Sequence, residues 1–170
     1  DSKKIARSLR NGDLKAIYVP GLKTLEDRSL LRARATMVKD LTRFKNRIKS
    51  FLYFHGIDIP ESFSKPKSHW SNRFMTWLES IELTEESGKI TLSSLIHQSK
   101  NLRASVLDLT KQMQKLSQRE AYQNDVKLLR SIPGIGILTA MTILTELETI
   151  LRFGNLDQLC CFIGLVPSTN

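Results

Sequence analysis

The chain has 170 residues, of which 41% are hydrophobic, which is enough for a core in one domain or two small ones. Lys and Arg number 26 against 17 Asp and Glu, and this formal net charge of +9 indicates an anionic partner. No apolar run approaches the ~20 residues of a membrane span, and adjacent Cys160 and Cys161, with neither a disulfide partner nor metal-ligand spacing, are predicted to be core thiols of a cytoplasmic protein.

The first twenty residues predict the end of an α/β domain. Ile5 and Leu9 lie one helical turn apart and predict a helix that closes at Gly12. The segment Leu14–Val19 then predicts a short strand. Because one helix and one strand cannot form a domain, residues 1–20 are predicted to end a domain whose other strands precede residue 1.

A long amphipathic helix is predicted next, over about 32 residues from Thr24 to Gly56. Thr24 is a candidate N-cap, with Asp27 three residues later. Near-heptad spacing of apolar residues predicts a rod of roughly 48 Å that packs against a partner helix. The seam residues are Leu30, Met37, Leu41, Phe44, Ile48 and Phe51, with Arg34 interrupting the pattern.

The same helix carries a row of basic residues on a face away from its seam. Residues 1–60 hold 14 basic and 6 acidic residues, whereas residues 61–170 hold 12 and 11. Within the helix only Asp40 follows Asp27 as an acidic partner, and this scarcity favours a phosphate-binding surface over a merely solvated face. The candidate nucleic-acid-binding residues are Arg28, Arg32, Lys39, Arg43 and Arg47.

Residues 57–88 combine a loop rich in Ser, Pro and Lys with a short amphipathic helix. Trp70, Phe74 and Trp77 recur at helical spacing on one face. Their rings could stack on bases, but spacing of this kind, with glutamates nearby, favours a core role.

A second long helix, starting near Thr91 after Gly88, has a cleaner heptad and matches the first in length. The two are therefore predicted to pack antiparallel, with residues 57–88 over the far end. Seam positions also suit a second protomer, so a homo-oligomer (dimer or tetramer) through this arm remains open. The seam residues are Leu92, Leu95, Ser99, Leu102, Val106, Leu109, Met113 and Leu116.

A tight hairpin between two helices is predicted within residues 124–151, at Pro133, Gly134 and Gly136. Closely spaced glycines let backbone N–H groups face a phosphate, and the start of the second helix adds positive dipole. This pattern is typical of a helix-hairpin-helix that holds nucleic-acid backbone, with Gly134, Ile135 and Gly136 as contacts. The alternative is a plain turn between core helices.

Several short motifs also occur together in one order and spacing. In that order they resemble the DEDD (RuvC-like) insertion-sequence transposases, the bridge-RNA-guided recombinases. The motifs are Asp1-Ser2-Lys3-Lys4-Ile5-Ala6, Leu31-Arg32-Ala33-Arg34, Arg43-Phe44-Lys45-Asn46-Arg47-Ile48, Ile132-Pro133-Gly134-Ile135-Gly136, Thr139-Ala140, Arg152-Phe153, Gln158-Leu159 and Gly164-Leu165-Val166-Pro167-Ser168.

The resemblance implies three parts: residues 1–20 as the end of a RuvC-like domain, 21–123 as a helical coiled-coil arm, and 124–170 as the start of a C-terminal transposase domain. Members hold divalent metal, implied to be Mg²⁺, with four carboxylates, and Asp1 would be the last of these catalytic, metal-binding groups. Ser168 lies too early to match the family's nucleophilic serine, which is expected beyond Asn170.

The predicted fold is mainly α, with two long antiparallel coiled-coil-like helices, a helix-hairpin-helix and one short strand. The predicted function is part of a DNA transposase of an insertion sequence in a bacterial cytoplasm, which binds DNA or a guide RNA and assembles protomers. Alone, this segment should bind and not cut. The alternatives are a non-enzymatic helix-hairpin-helix DNA-binding or repair accessory module, and a helical scaffold whose charge serves solubility.

Overall fold

The computed structural model describes residues 1–14, 16–63 and 69–165, and all regular structure in these ranges is helical. A mainly α fold is therefore confirmed. The α-helices are α1 (Ser2–Arg10), α2 (Leu22–Phe54), α3 (Asn72–Glu79), α4 (Glu86–Ser117), α5 (Glu120–Arg130), α6 (Ile137–Leu147) and α7 (Leu156–Ile163), and two 3₁₀ turns span Glu61–Phe63 and Ile150–Arg152.

The two long helices, α2 and α4, form an antiparallel arm about 50 Å long. Leu31 near the start of α2 packs with Met113 near the end of α4. Ile48 near the end of α2 packs with Leu92 and Ile96 near the start of α4. The two helices thus pack seam to seam within one chain. Of the predicted α2 seam only Ile48 is fully buried and the other five residues are half-buried, whereas Leu31 and Leu52, one position away from seam residues, are buried.

A distal core closes one end of the arm, where the segment between α2 and α4 folds over the helix ends. Its aromatic centre is Phe74, which is fully buried and packs edge-on against Phe63 and Trp70. The aromatic residues predicted as core are therefore core. The buried members are Ile48, Leu52, Phe63, Phe74, Met75, Leu78, Leu92 and Ile96.

A proximal core lies at the other end of the arm and joins α2 and α4 to α5 and α6. Ile135 within the hairpin turn and Ile137 at the start of α6 pack against it. The arm and the hairpin region therefore share one hydrophobic core. Its buried members are Leu31, Met113, Leu116, Val126, Ala140 and Met141.

Arg34, the interruption in the α2 seam, is accommodated by a polar partner on α4. Its Nε donates to Thr110 Oγ1 at 2.8 Å, and both side chains are partly buried. A hydrogen bond of this kind offsets the cost of holding the guanidinium near the seam.

The predicted strand from Leu14 to Val19 is not found. The described residues of this segment have no strand structure, and Lys15 lies outside the described residues. A strand needs a neighbour to take its backbone hydrogen bonds, and the described part of the chain offers none. Tyr18 packs against the C-terminal region instead, as set out below.

Several element boundaries also differ from the sequence prediction. Helix α2 begins at Leu22 with Gly21 as its N-cap, so Thr24 lies inside the first turn, where its hydroxyl donates to Glu148. Helix α6 ends at Leu147, four residues early, where Glu148 adopts φ 60° and leaves the helical conformation. The core-thiol prediction is wrong for Cys161, which is exposed, while Cys160 is half-buried.

Other predicted ends are confirmed. Gly12 takes φ 72° after α1, and Gly164 takes φ 79° after α7, the left-handed conformation that glycine adopts without strain. Asn155 caps α7 by accepting from the Gln158 N–H at 2.9 Å. Across the described ranges, no helix is both long and apolar enough to cross a bilayer.

Candidate nucleic-acid interface

Arg28, the first of the predicted phosphate-binding residues, ties α2 to the end of α6. Its Nε donates to the Thr145 carbonyl at 2.9 Å and lies 3.4 Å from a carboxylate oxygen of Glu146. Its side chain is only 13% exposed. The guanidinium is therefore paired inside the chain and turned away from solvent.

Arg32, one turn further along α2, also binds Glu146. Nε and Nη2 donate to the two carboxylate oxygens, each at 2.8 Å, in the side-on bidentate geometry that arginine favours. The hydrogen bond from Arg32 lowers the pKa of Glu146 and raises that of Arg32. Arg32 is 65% exposed, yet its charge is already opposed by a carboxylate.

Glu148 forms a second polar tie, between the C-terminal region and the segment before α2. Its carboxylate accepts from the Tyr18 hydroxyl at 2.5 Å, the Thr24 hydroxyl at 2.8 Å and the Gly21 N–H at 3.1 Å. The hydrogen bond from Tyr18, followed by that from Thr24, lowers the pKa of Glu148. The partners lie more than 120 residues apart, so local sequence patterns give no signal of this tie.

The second half of α2 differs from the first, because its basic residues project from the arm. Lys39, Arg43 and Arg47, which we call the basic stripe, are all exposed. Arg43 contacts only its own helix, at Asp40, with a 2.9 Å ion pair and 69% of its side chain exposed. Arg47 lies over the Phe44 ring at 4.6 Å. Neither contact fixes the stripe to another element.

The predicted hairpin is an exposed turn over residues 131–136, between α5 and α6. Gly134 has φ 89°, and Gly136 is the N-cap of α6 with no side-chain cap. A Cβ added at either glycine would meet no atom within 4 Å, so the surface there is open. Ile135 differs, because it packs into the proximal core and its N–H donates to the Ile132 carbonyl at 3.1 Å.

Two cations beside the hairpin were missed by the sequence analysis. Lys127 and Arg130 lie in the last turn of α5, directly before the turn, and both are exposed. Their signal is their position: basic residues in the turn that precedes a glycine-rich hairpin. They add positive potential beside the open surface of Gly134 and Gly136.

Arg152 occupies an aromatic cage in the C-terminal region. Its guanidinium carbon lies 4.7, 4.6 and 4.4 Å from the ring centroids of Tyr18, Phe153 and Phe162. Nε and Nη2 are buried and have no hydrogen-bond partner. Arg32 differs, because its guanidinium is paired with the Glu146 carboxylate.

Asp1 does not form a metal site with the residues at hand. It is exposed at the start of α1, and no group of three His, Cys, Asp or Glu in the described ranges could hold a metal ion. These residues alone do not fit Mg²⁺, which needs several oxygen ligands. Ser168 and most of the Gly164–Ser168 motif lie outside the described residues.

Comparison with known proteins agrees with the predicted resemblance. The sequence model of the transposase IS116/IS110/IS902 family matches residues 126–170. "Putative transposase y4qE" of Sinorhizobium fredii is 26% identical over 167 residues, covering 98% of this chain and 38% of that protein. No solved structure matches the chain.

Two further relatives carry transposase names. The transposase for insertion sequence element IS1111A of Coxiella burnetii is 25% identical over 98% of this chain and 44% of its own length. The transposase for IS1533 of Leptospira borgpetersenii is 28% identical over 71% of this chain and 34% of its own length. The predicted resemblance to insertion-sequence transposases is thus confirmed. The chain spans less than half the length of these relatives.

Proposed function

We propose that this chain, similar to insertion-sequence transposases over nearly its whole length, is the nucleic-acid-binding and assembly part of such an enzyme. The single observation that supports the binding role most strongly is the basic stripe. Its three cations project from one exposed face of α2, and in the described part of the chain the one carboxylate paired with any of them is Asp40, on the same helix. Such a row can follow phosphates without reading bases.

The hairpin is proposed as a second contact with the same backbone. Its glycines leave the surface open, and the first N–H groups of α6 have no side-chain cap. A phosphate could accept from such groups and gain from the helix dipole. Lys127 and Arg130 would add charge beside it. The proposed role of Ile135 is to fix the shape of the turn by packing into the proximal core. Its own N–H is bonded to the Ile132 carbonyl and is not proposed to bind phosphate.

The test measures binding to a 20-base-pair duplex and to an RNA hairpin between 50 and 200 mM salt. The stripe variant carries Lys39→Gln, Arg43→Gln and Arg47→Gln. The matched control carries Arg10→Gln, Lys111→Gln and Lys115→Gln, which removes the same charge from exposed sites on α1 and α4. We expect the stripe variant to lose roughly fivefold to tenfold in affinity per lost contact, and the control to lose much less.

Equal losses of affinity in both variants would show that only net charge matters, and would contradict the proposal that the basic stripe is the binding surface. The hairpin has its own variant, Gly136→Val. Gly136 has φ −85°, which any residue adopts, and its Cβ position is open, so the fold should survive. Unchanged affinity in Gly136→Val would show that the hairpin is only a turn between two helices and does not contact the nucleic acid.

Assembly of protomers through the arm is proposed from the exposed rings at its far end. Tyr53 and Phe54, at the end of α2, are 88% and 84% exposed. Because the heptad seams are buried within the chain, a second protomer would need other apolar surface such as this. Sedimentation of the wild type and of the double variant Tyr53→Ser, Phe54→Ser tests this: the wild type should be dimeric or larger, and the variant monomeric.

The metal-binding role of Asp1 is likewise a proposal that rests on the resemblance. In the complete protein, Asp1→Ala should abolish Mg²⁺-dependent strand cutting while DNA affinity is retained, because Asp1 lies far in sequence from the stripe and the hairpin. Strand cutting at the wild-type rate by that variant would remove Asp1 from the catalytic set. A complete protein that binds but never cuts would favour a non-enzymatic accessory module.

A further inference from the structure

Cations from both arm helices meet at Trp70, on a part of the arm away from the basic stripe. Lys45 on α2 places Nζ 5.3 Å from the centroid of the Trp70 ring. Arg103 on α4 donates from Nη1 to the Trp70 carbonyl at 3.0 Å. Both residues line one cleft between the helices. Lys49 follows one turn after Lys45, and we call Lys45, Lys49 and Arg103 the notch.

The charge of the notch is not neutralised by the described part of the chain. None of its three cations has a carboxylate partner there. Burial lowers the pKa of Lys45, and the nearby charges of Arg103 and Lys49 lower it further. Like charges gathered in this way destabilise a fold unless an anion joins them.

A neighbouring lysine shows the contrast. Lys100 lines the same cleft, but its ammonium is paired with Glu79 on α3. The cleft therefore holds one lysine that is matched by a carboxylate and one, Lys45, that is not. Whatever neutralises Lys45 and Arg103 has to come from outside the described chain.

We propose that the notch binds a phosphate of a nucleic-acid backbone, so that the interface extends from α2 onto α4. The ammonium groups and the free N–H groups of Arg103 are donors that suit phosphate oxygens. The inference rests on the proposed nucleic-acid binding and adds a separate contact to it. Lys45 is half-buried against Trp70, whereas the stripe lies on the exposed face of α2.

The experiment uses the whole 170-residue chain, with duplex DNA and an RNA hairpin as probes. Lys45→Met, Lys49→Met and Arg103→Met each remove one charge from the notch. Lys100→Met is the control. Lys100 lines the same cleft and lies one turn from Arg103 on α4, but its charge is already paired with Glu79. Lys49 is exposed, so its variant should fold and tests the idea even where the others unfold.

We expect each notch variant to weaken binding by roughly fivefold to tenfold at 0.1 M salt on at least one probe, and to lower the salt slope by about 0.9 on duplex DNA. Lys100→Met should bind as the wild type does. Wild-type affinity in the notch variants on both probes, beside a loss in the stripe variant, would overturn the notch and leave the proposed function intact. Wild-type affinity in the stripe variant as well would overturn both the notch and the proposed nucleic-acid binding by the stripe. An equal loss in Lys100→Met would also overturn the notch, because only total charge would then matter.

Discussion

The two halves of α2 have similar basic residues but different surroundings. In the first half, Arg28 and Arg32 meet Glu146 from α6, 114 to 118 residues away in the chain. In the second half, Lys39, Arg43 and Arg47 are exposed, and the contacts that Arg43 and Arg47 make among the described residues lie within α2 itself. Because α6 packs against only one end of the arm, the same sequence pattern stabilises the fold at that end and leaves exposed cations, which we propose to bind phosphate, at the other.

The largest expected effect comes from the most buried member of the first half. Arg28→Met removes the charge-assisted hydrogen bonds to the Thr145 and Glu146 carbonyls and the ion pair with the Glu146 carboxylate. We expect the free energy of unfolding to fall by about 2–3 kcal/mol in urea titrations. Affinity for duplex DNA, measured where the variant is folded, should stay at the wild-type value. A loss of affinity without a loss of stability would reverse the assignment of Arg28.

The polar ties of the first half should also fail in acid. Hydrogen bonds hold the pKa values of Glu146 and Glu148 below the usual 4.5. Both groups therefore add stability above pH 4.5 and lose that contribution as the pH falls through their lowered pKa values. Thermal unfolding between pH 6 and pH 3 should show a smaller acid loss in Glu146→Gln and Glu148→Gln than in the wild type. Glu82→Gln, at an exposed carboxylate, is the control and should follow the wild type.

A smaller effect is expected where α5 joins the first half of α2. The Tyr122 hydroxyl donates to Asp27 at 2.8 Å, and burial together with this bond raises the pKa of Tyr122. Tyr122→Phe should lower the free energy of unfolding by about 1 kcal/mol, the usual value of one such bond. Tyr53→Phe, on an exposed ring, should cost almost nothing. Similar losses in the two variants would show that the bond to Asp27 adds no stability.

The smallest stability effect is expected in the second half. Arg43→Gln removes an exposed ion pair within one helix, which is worth at most about 0.5 kcal/mol. A fall of more than 1 kcal/mol in urea titrations would show that Arg43 stabilises the fold in a way that its contacts do not explain. A small loss of stability in Arg43→Gln beside a large loss in Arg28→Met would show that only the first half of α2 uses its arginines to stabilise the fold.

Local pattern was sufficient to predict the helices and most of the core. The heptad of α4, from Leu92 to Leu116, lies on the buried or half-buried face, because helical periodicity is a property of neighbouring residues. The pairing of Arg28 with Glu146 was out of reach, since it depends on where α6 packs. The strand over Leu14–Val19 was predicted from composition, but a strand also depends on a partner that composition does not reveal.

The candidate site was predicted in the same uneven way. Gly134 and Gly136 were placed correctly on an open turn, because glycine spacing reports backbone conformation directly. Ile135 was predicted as a contact although its side chain packs inward, since the hairpin pattern alone does not tell which residue faces the core. The notch was missed because Lys45 and Arg103 lie 58 positions apart in the chain and meet only in the folded arm.

The most direct test compares the salt dependence of duplex binding in two double variants, Arg28→Met with Arg32→Met and Arg43→Met with Arg47→Met. Each removes two arginines from α2, and each is measured at a temperature where circular dichroism shows it to be folded. The account predicts an unchanged slope of log K against log salt in the first variant, and a slope smaller by about 1.8 in the second. Equal slopes in the two variants, or a smaller slope in the first alone, would contradict the division of α2 into a structural half and a phosphate-binding half.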